Sequence, residues 1–442
     1  MIFVRKIFPI FSLLSSILLL IYIIYQSQIY WEGNLVNNYY KNYYIILIIL
    51  ILLSIFVLFM NDNLKVYFII FILSIVLSLY LFESYLSFNM SNNKVPKKKL
   101  ELFEEKYKKK YDTRSKIEVY KQLSKTNSNT AVTVYPFENI NSKNNIFPFS
   151  GLSNSKTIYC NENGYYSMYE SDRYGFNNPD KEWDQDEIEY LLLGDSFTHG
   201  ACVNRPHDIG SALRTISNKP VLNLGYAGNG PLIEYATLRE YFRSNIKNVI
   251  FLYFEENDLF NLHNELSDDL LKNYLTNPSF SQNLMFKQDL IDQIAKKKIN
   301  ENFDNNSEIN KNKKSLKSLK FLKLRNVRNF FQGTSIPKPM PQPEFKKILK
   351  LTKDLVTKNN SKLYFIYLPV INKSQTNSLD ASYYEIKKIV KSLDITFIDM
   401  YDEIFNKEEN PTKYIPFMSD RGVHYNILGY NKVAETIYNY EN

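Results

Sequence analysis

Leu191-Leu192-Leu193-Gly194-Asp195-Ser196-Phe197-Thr198-His199-Gly200 is the stretch on which the fold turns. An apolar run from 188 to 193 reads as a short buried strand, Gly194 breaks it, and a helical pattern opens directly behind. The same rhythm repeats further along the chain. Residues 221–224, 248–254 (NVIFLYF), 362–368 (KLYFIYL) and 395–399 (ITFID) are further apolar runs, separated by helical patterns such as 232–242 and 344–358. Buried strands alternating with helices predict an α/β fold with a parallel sheet, whose functional loops lie at the carboxyl ends of the strands. Between about 260 and 335 a Lys/Asn-rich, largely helical stretch interrupts the rhythm and reads as an insertion, in the place of a cap over the site.

Toward the N-terminus the character changes twice. Residues 123–180 are polar and aromatic, an irregular or β-rich entry into the sheet, so one domain is expected over 123–442. Residues 89–122 are highly charged and read as a basic membrane-proximal stalk. Before them lie three nearly uncharged runs, 7–25, 43–60 and 66–82. Each approaches the roughly 20 residues a helix needs to cross a hydrocarbon core. The first is longer than a signal-peptide core and has no A-x-A-like site behind it. Residues 1–88 therefore read as an anchor of three transmembrane helices in the lipid bilayer, with Tyr25, Tyr30, Trp31, Tyr39 and Tyr40 suited to the interfacial belt. Arg5 and Lys6 favour a cytoplasmic N-terminus, which three crossings convert into an extracytoplasmic C-terminal domain. Lys94 and Lys97–Lys99 pull the other way, but long domains translocate largely regardless of charge. The outward orientation is expected.

Composition narrows the remaining classes. With 442 residues, 45% hydrophobic and 23% charged, the chain is too long for one small domain and too apolar to be disordered. Its net charge of +8 is confined to two segments, 94–122 and 296–328, and the remainder is net negative. No nucleic-acid motif accompanies those segments, so nucleic acid is not an expected partner. Two cysteines, Cys160 and Cys202, make at most one bridge and sit in no metal-type cluster; Cys202 reads as a buried apolar residue. Neither a phosphate loop nor a dinucleotide fingerprint is present, and no cofactor or metal is expected.

Four blocks carry the chemistry. The first is Gly194-Asp195-Ser196, which also reads as an ordinary turn with Ser196 capping a helix. The second, Asn223-Leu224-Gly225-Tyr226-Ala227-Gly228-Asn229-Gly230-Pro231, follows a strand with glycines that let backbone approach a reacting group. The third, Glu255-Glu256-Asn257-Asp258, again ends a strand, and Asn257 offers a side-chain N–H. The fourth, Ser419-Asp420-Arg421-Gly422-Val423-His424, supplies a histidine with a carboxylate upstream and a helix, 431–438, behind it. A serine hydroxyl needs a base within hydrogen-bond reach, itself oriented by a carboxylate. Ser196, His424 and Asp420 are candidates for those roles, while Ser196 N–H, Gly228 N–H and the Asn257 amide are candidates for the oxyanion donors. His199 is expected at most to line the site, His207 and His263 to lie elsewhere, and Asp195 and Asp258 to be structural.

This ordered set resembles the SGNH/GDSL hydrolase family, in which Ser, Gly, Asn and His occur in four successive blocks. The likeness covers roughly residues 170–440. Two departures stand out: Glu255 replaces the glycine of the third block, and in the fourth the aspartate lies four residues before His424 instead of three, with Arg421 between. Asp399, or a dyad backed by solvent, is the alternative to Asp420. Ser171-Asp172-Arg173-Tyr174-Gly175-Phe176-Asn177-Asn178-Pro179 also resembles the lead-in of membrane-anchored members associated with surface polysaccharides. The resemblance implies a flavodoxin-like three-layer domain in a multi-pass protein of the bacterial inner membrane. It implies a serine esterase hydrolysing acyl esters, O-acetyl groups of an extracytoplasmic glycan in particular. The alternatives are an O-acyltransferase that draws on a membrane acyl-donor protein, and a non-catalytic glycan-binding or assembly protein.

Overall fold

The computed structural model describes residues 2–31, 33, 39–91, 95–142, 146–303, 320–332, 339–371, 381–418 and 424–441. They fall into two compact units, residues 1–94 with 306–339 and residues 95–305 with 340–442.

The larger unit holds two sheets. Thr130–Val132 (β1), Lys156–Ile158 (β2) and Met168–Glu170 (β3) form the small one, with β1 and β2 parallel and β2 and β3 antiparallel. The large sheet contains Ile188–Leu193 (β4), Val221–Asn223 (β5), Ile246–Phe254 (β6), Lys362–Leu368 (β7) and Thr396–Asp399 (β8). It runs in the order β5-β4-β6-β7-β8, every pair parallel. These are the five apolar runs of the sequence, and the fold class read from them holds.

The runs are largely apolar because both faces of the sheet are covered. Val249, Phe251 and Tyr253 of β6 enter one core with Leu191 and Leu193 of β4, Phe365 and Tyr367 of β7, and helices Pro231–Tyr241, Pro343–Lys358 and Ala381–Ser392. Ile250, Leu252 and Phe254 enter the other with Tyr190, Leu192, Ile366 and Leu368, covered by helices Ile209–Ser217 and Ile427–Glu441. Two-residue alternation thus feeds two cores, giving three layers. The sheet order reverses between β4 and β6. That reversal opens a crevice at their carboxyl ends.

Local chemistry sets the helix ends. Asp208 accepts from the Ser211 N–H and opens the helix Ile209–Ser217, while Asn218 closes it in a left-handed conformation. The helix Pro231–Tyr241 begins with Pro231, and the Glu265 carboxylate accepts from the N–H groups of Gly230, Leu232 and Ile233. Glu265 therefore caps a helix from another element. Burial pushes its pKa up to about 8, against the pull of those three N–H groups.

In the smaller unit three helices, Ile2–Ile24, Lys41–Leu58 and Asp62–Ser91, are long and apolar enough to cross a membrane. The first continues as a π-turn, Tyr25–Tyr30. Phe11, Leu18 and Leu52 are each more than 60% exposed, an arrangement suited to lipid and costly in water. Ser12 and Ser54 join the first two helices through their hydroxyls, 3.0 Å apart. Part of the region read as an insertion belongs to this unit: helix Arg325–Gln332 lies against the third long helix. There the buried Glu83 accepts from Asn326 N–H, Asn326 Nδ2 and Val327 N–H.

Candidate active site

Asp195 and Ser196 follow β4 directly. Gly194 carries a φ of +152°, and a Cβ there would meet Thr198 Oγ1 at 2.1 Å, so the tight exit from the strand requires glycine. The Asp195 carboxylate accepts from the Phe197 N–H at 2.9 Å and holds the turn, as expected. It also accepts from Ser196 Oγ at 3.3 Å and from Asn257 Nδ2 at 3.2 Å. One buried carboxylate thus bridges the ends of β4 and β6. Its pKa is raised by burial, which outweighs the hydrogen bonds it accepts.

Ser196 Oγ lies 2.9 Å from His424 Nε2. The structure brings together the serine of the first block and the histidine of the fourth, 228 residues apart. Asp420 lies outside the described residues. Asp399 accepts from Tyr383 Oη, Lys387 Nζ and Tyr401 N–H, so its oxygens are engaged at the end of β8. The carboxylate that meets His424 is one the sequence reading did not single out: Glu162 Oε1 lies 2.8 Å from His424 Nδ1. Glu162 comes from the entry segment, between β2 and β3. With Glu162 on Nδ1, the lone pair of Nε2 faces the serine hydroxyl.

Asn257 and Gly228 flank the same crevice. Asn257 gives one amide hydrogen to Asp195 and has a second to offer. Gly228 has a φ of +81°, and a Cβ on it would lie 2.4 Å from the Phe137 ring, so no side chain fits. His199 supports this loop from beneath. Ala227 N–H donates to His199 Nδ1 at 3.2 Å, which leaves Nε2 to donate to Tyr169 Oη at 2.9 Å. Packed on Tyr159 and Tyr226, the ring is fully buried, and burial pushes its pKa down to about 3. It is a neutral strut under the glycine loop.

The two departures from the four-block pattern have local explanations. Glu255, in place of glycine, accepts from Tyr367 Oη at 2.6 Å and from Val370 N–H at 2.7 Å, tying β6 to the end of β7. Asp258 accepts from Phe254 N–H and is buried, a structural role as expected. The lead-in around Asp172 is also scaffolding. Its buried carboxylate accepts from Tyr174 N–H, Phe176 N–H, Asn178 Nδ2 and Trp183 Nε1, and Asn177 donates to the His199 carbonyl.

Cys202 is buried, as expected, and the one bridge that two cysteines allow is formed: it is bonded to Cys160 in a disulfide. Glu162, Cys202 and His424 place one donor atom each within 4.8 Å of one another. With the sulfur bonded to Cys160, this trio lacks the thiolate a soft metal would need.

No family model and no curated protein matches the chain. Among solved structures it is similar to a protein from Desulfitobacterium hafniense DCB-2 described as lipolytic and of the G-D-S-L family, at 12% identity and a TM-score of 0.33 over 57% of this chain and 98% of that one. It is similar to the acetyl xylan esterase AlAXEase at 12% identity and a TM-score of 0.31, over 57% and 98%. A protein from Lactobacillus plantarum follows at 10% identity and a TM-score of 0.30, over 58% and 97%.

Proposed function

We propose that the chain is a membrane-anchored serine esterase that hydrolyses acyl esters, with O-acetyl groups of an extracytoplasmic glycan as the substrate class. The observation that carries this reading is the line from Glu162 Oε1 through the His424 ring to Ser196 Oγ, with separations of 2.8 and 2.9 Å. In this reading His424 Nε2 takes the hydroxyl proton as Ser196 Oγ bonds to the ester carbonyl carbon. Glu162 accepts from Nδ1–H and stabilises the imidazolium that forms. The negative oxygen of the tetrahedral species meets Ser196 N–H, Gly228 N–H and the second Asn257 amide hydrogen. Collapse expels the alcohol, which takes the proton from His424 and leaves an acyl-serine. Water then adds to the acyl carbon with His424 again as base, releasing the carboxylic acid and restoring the hydroxyl.

The substrate class rests on the sequence resemblance and on membrane anchoring. The test uses the full chain in detergent with a fluorophosphonate probe and short-chain acyl esters. Wild type labels and turns over, while Ser196→Ala and His424→Ala do neither. A folded wild-type protein that neither labels nor hydrolyses any ester overturns the reading.

A further inference from the structure

Glu162 is held in place by little of its own. Oε1 meets His424 Nδ1, and Oε2 is buried without a hydrogen-bond partner among the described residues. Among the described residues, no arginine, tyrosine or backbone N–H hydrogen-bonds this carboxylate to aim it. Its position is therefore set by the backbone of the loop that carries it, and that loop is tied to the nucleophile's own segment. Cys160, two residues before Glu162, is bonded to Cys202, six residues after Ser196, with the two Cα atoms 4.9 Å apart. Asn163, the residue after Glu162, donates from Nδ2 to the Cys202 carbonyl at 3.0 Å. Cys202 itself has a φ of +60°, a left-handed conformation that L-residues other than Asn and Asp seldom take. Its sulfur lies within 4.8 Å of both a Glu162 carboxylate oxygen and a His424 ring nitrogen. The bond passes directly behind the acid–base pair.

We infer that the Cys160–Cys202 disulfide is a positioning element of the active site: it holds Glu162 on His424, and the site is complete only while the bond is closed. This rests on the reading of Ser196, His424 and Glu162 as a catalytic triad. The far side of the loop is fixed separately. Asn161 Nδ2 donates to the Asp112 carbonyl, and Asp112 N–H donates to the Gly164 carbonyl. With the disulfide open, the side that faces the histidine keeps the Asn163 hydrogen bond to the Cys202 carbonyl but loses its covalent tie, so it loosens while the loop stays folded. Cys160 is half-buried, within reach of a small dithiol. Such a reductant delivers two electrons and two protons, giving two thiols as it closes to its own disulfide.

The test compares wild type and Glu162→Gln, full chain in detergent, oxidised and then reduced by a dithiol with thiols counted. Reduction is expected to lower wild-type kcat by about 10–100-fold, the scale of a small misplacement, with KM within about twofold. In Glu162→Gln, already slow, reduction should change kcat by less than about twofold, because there is no longer an acid to misplace. Equal fold losses in both backgrounds, no loss in fully reduced wild type, or collapse of the far-UV circular dichroism on reduction would each overturn the inference. A second readout does not need turnover. With histidine 15N-labelled, the downfield proton on His424 Nδ1 should be present when oxidised and lost on reduction; its persistence in the reduced protein overturns the clamp. An oxidised protein that shows this redox-sensitive proton yet hydrolyses no ester would defeat the esterase reading and leave the clamp standing.

Discussion

A carboxylate on an imidazole Nδ1 acts by fixing one tautomer and stabilising the charge that forms, so removing it identifies it. Glu162→Gln is expected to lower kcat by about 10²–10⁴-fold with Ser196 and His424 intact. Asp420→Asn, in the segment just before His424, should stay within about threefold. Steady-state ester hydrolysis by the two variants decides between them; a larger loss in Asp420→Asn would move the role there. Glu162 escaped the sequence reading for a physical reason. An orienting carboxylate must reach one ring nitrogen, and nothing in that requirement fixes its distance along the chain from the histidine. Its usable signal was its place two residues from Cys160, in a protein with one other cysteine. His199 gives a prediction of a different kind. Its pKa falls to about 3 in the fold, against about 6.5 when unfolded, so below pH 6.5 the unfolded chain binds a proton that the native one refuses. Stability is complete above that value and declines as pH falls toward 3, by up to about 1.4 kcal/mol per unit. Thermal unfolding between pH 7 and 4 should show this slope in wild type and a shallower one in His199→Gln.

At the scale of elements, the five strands were legible because most of their residues are buried on one face or the other and the runs are therefore largely apolar. The chemistry-bearing blocks were legible because each strand end is a place where backbone must turn toward the crevice: Gly194 after β4, Gly228 after β5, Asn257 after β6. Helix Arg325–Gln332 was not legible as a partner of the third long helix. It begins in the basic segment 296–328, and the group that receives it, Glu83, sits more than 240 positions earlier in the chain. Glu83 accepts three hydrogen bonds at the start of that helix and is fully buried, so its removal takes this acceptor from the Asn326 and Val327 N–H groups, while Asn326 Nδ2 keeps Ser87 Oγ. Phe330 packs edge-on against Phe82, 5.2 Å between ring centres, and persists in the variant. Glu83→Ala should therefore loosen the helix without releasing it, weakening its packing by about 1–3 kcal/mol. Hydrogen exchange at residues 325–332 should speed up by about 5–150-fold, with exchange in β6 unchanged; equal protection in the variant would show that the aromatic contacts suffice.

For the whole molecule, the side of the membrane on which the larger unit lies decides whether the clamp on Glu162 can exist. Two signals in the sequence disagree, Arg5 and Lys6 before the first long helix and Lys97–Lys99 after the third. The disulfide is a third, independent signal. Such bonds persist in oxidising compartments and are reduced in the cytoplasm, and Cys160–Cys202 belongs to the larger unit. It sides with Arg5 and Lys6. The lysines that oppose them open the helix Lys97–Tyr107, ahead of a domain long enough to be translocated regardless of flanking charge. An outward domain also fits the two proposals together, because a disulfide persists in the same oxidising compartment in which the proposed glycan substrate would lie. In intact cells, a maleimide-polyethylene glycol reagent applied after denaturation should add no mass to the chain unless a reductant is supplied first, and two units of mass once it is. A C-terminal alkaline phosphatase fusion should be active and a green fluorescent protein fusion dark. Two free thiols without reductant, together with a fluorescent fusion, would place the domain in the cytoplasm and leave Glu162 without its clamp there.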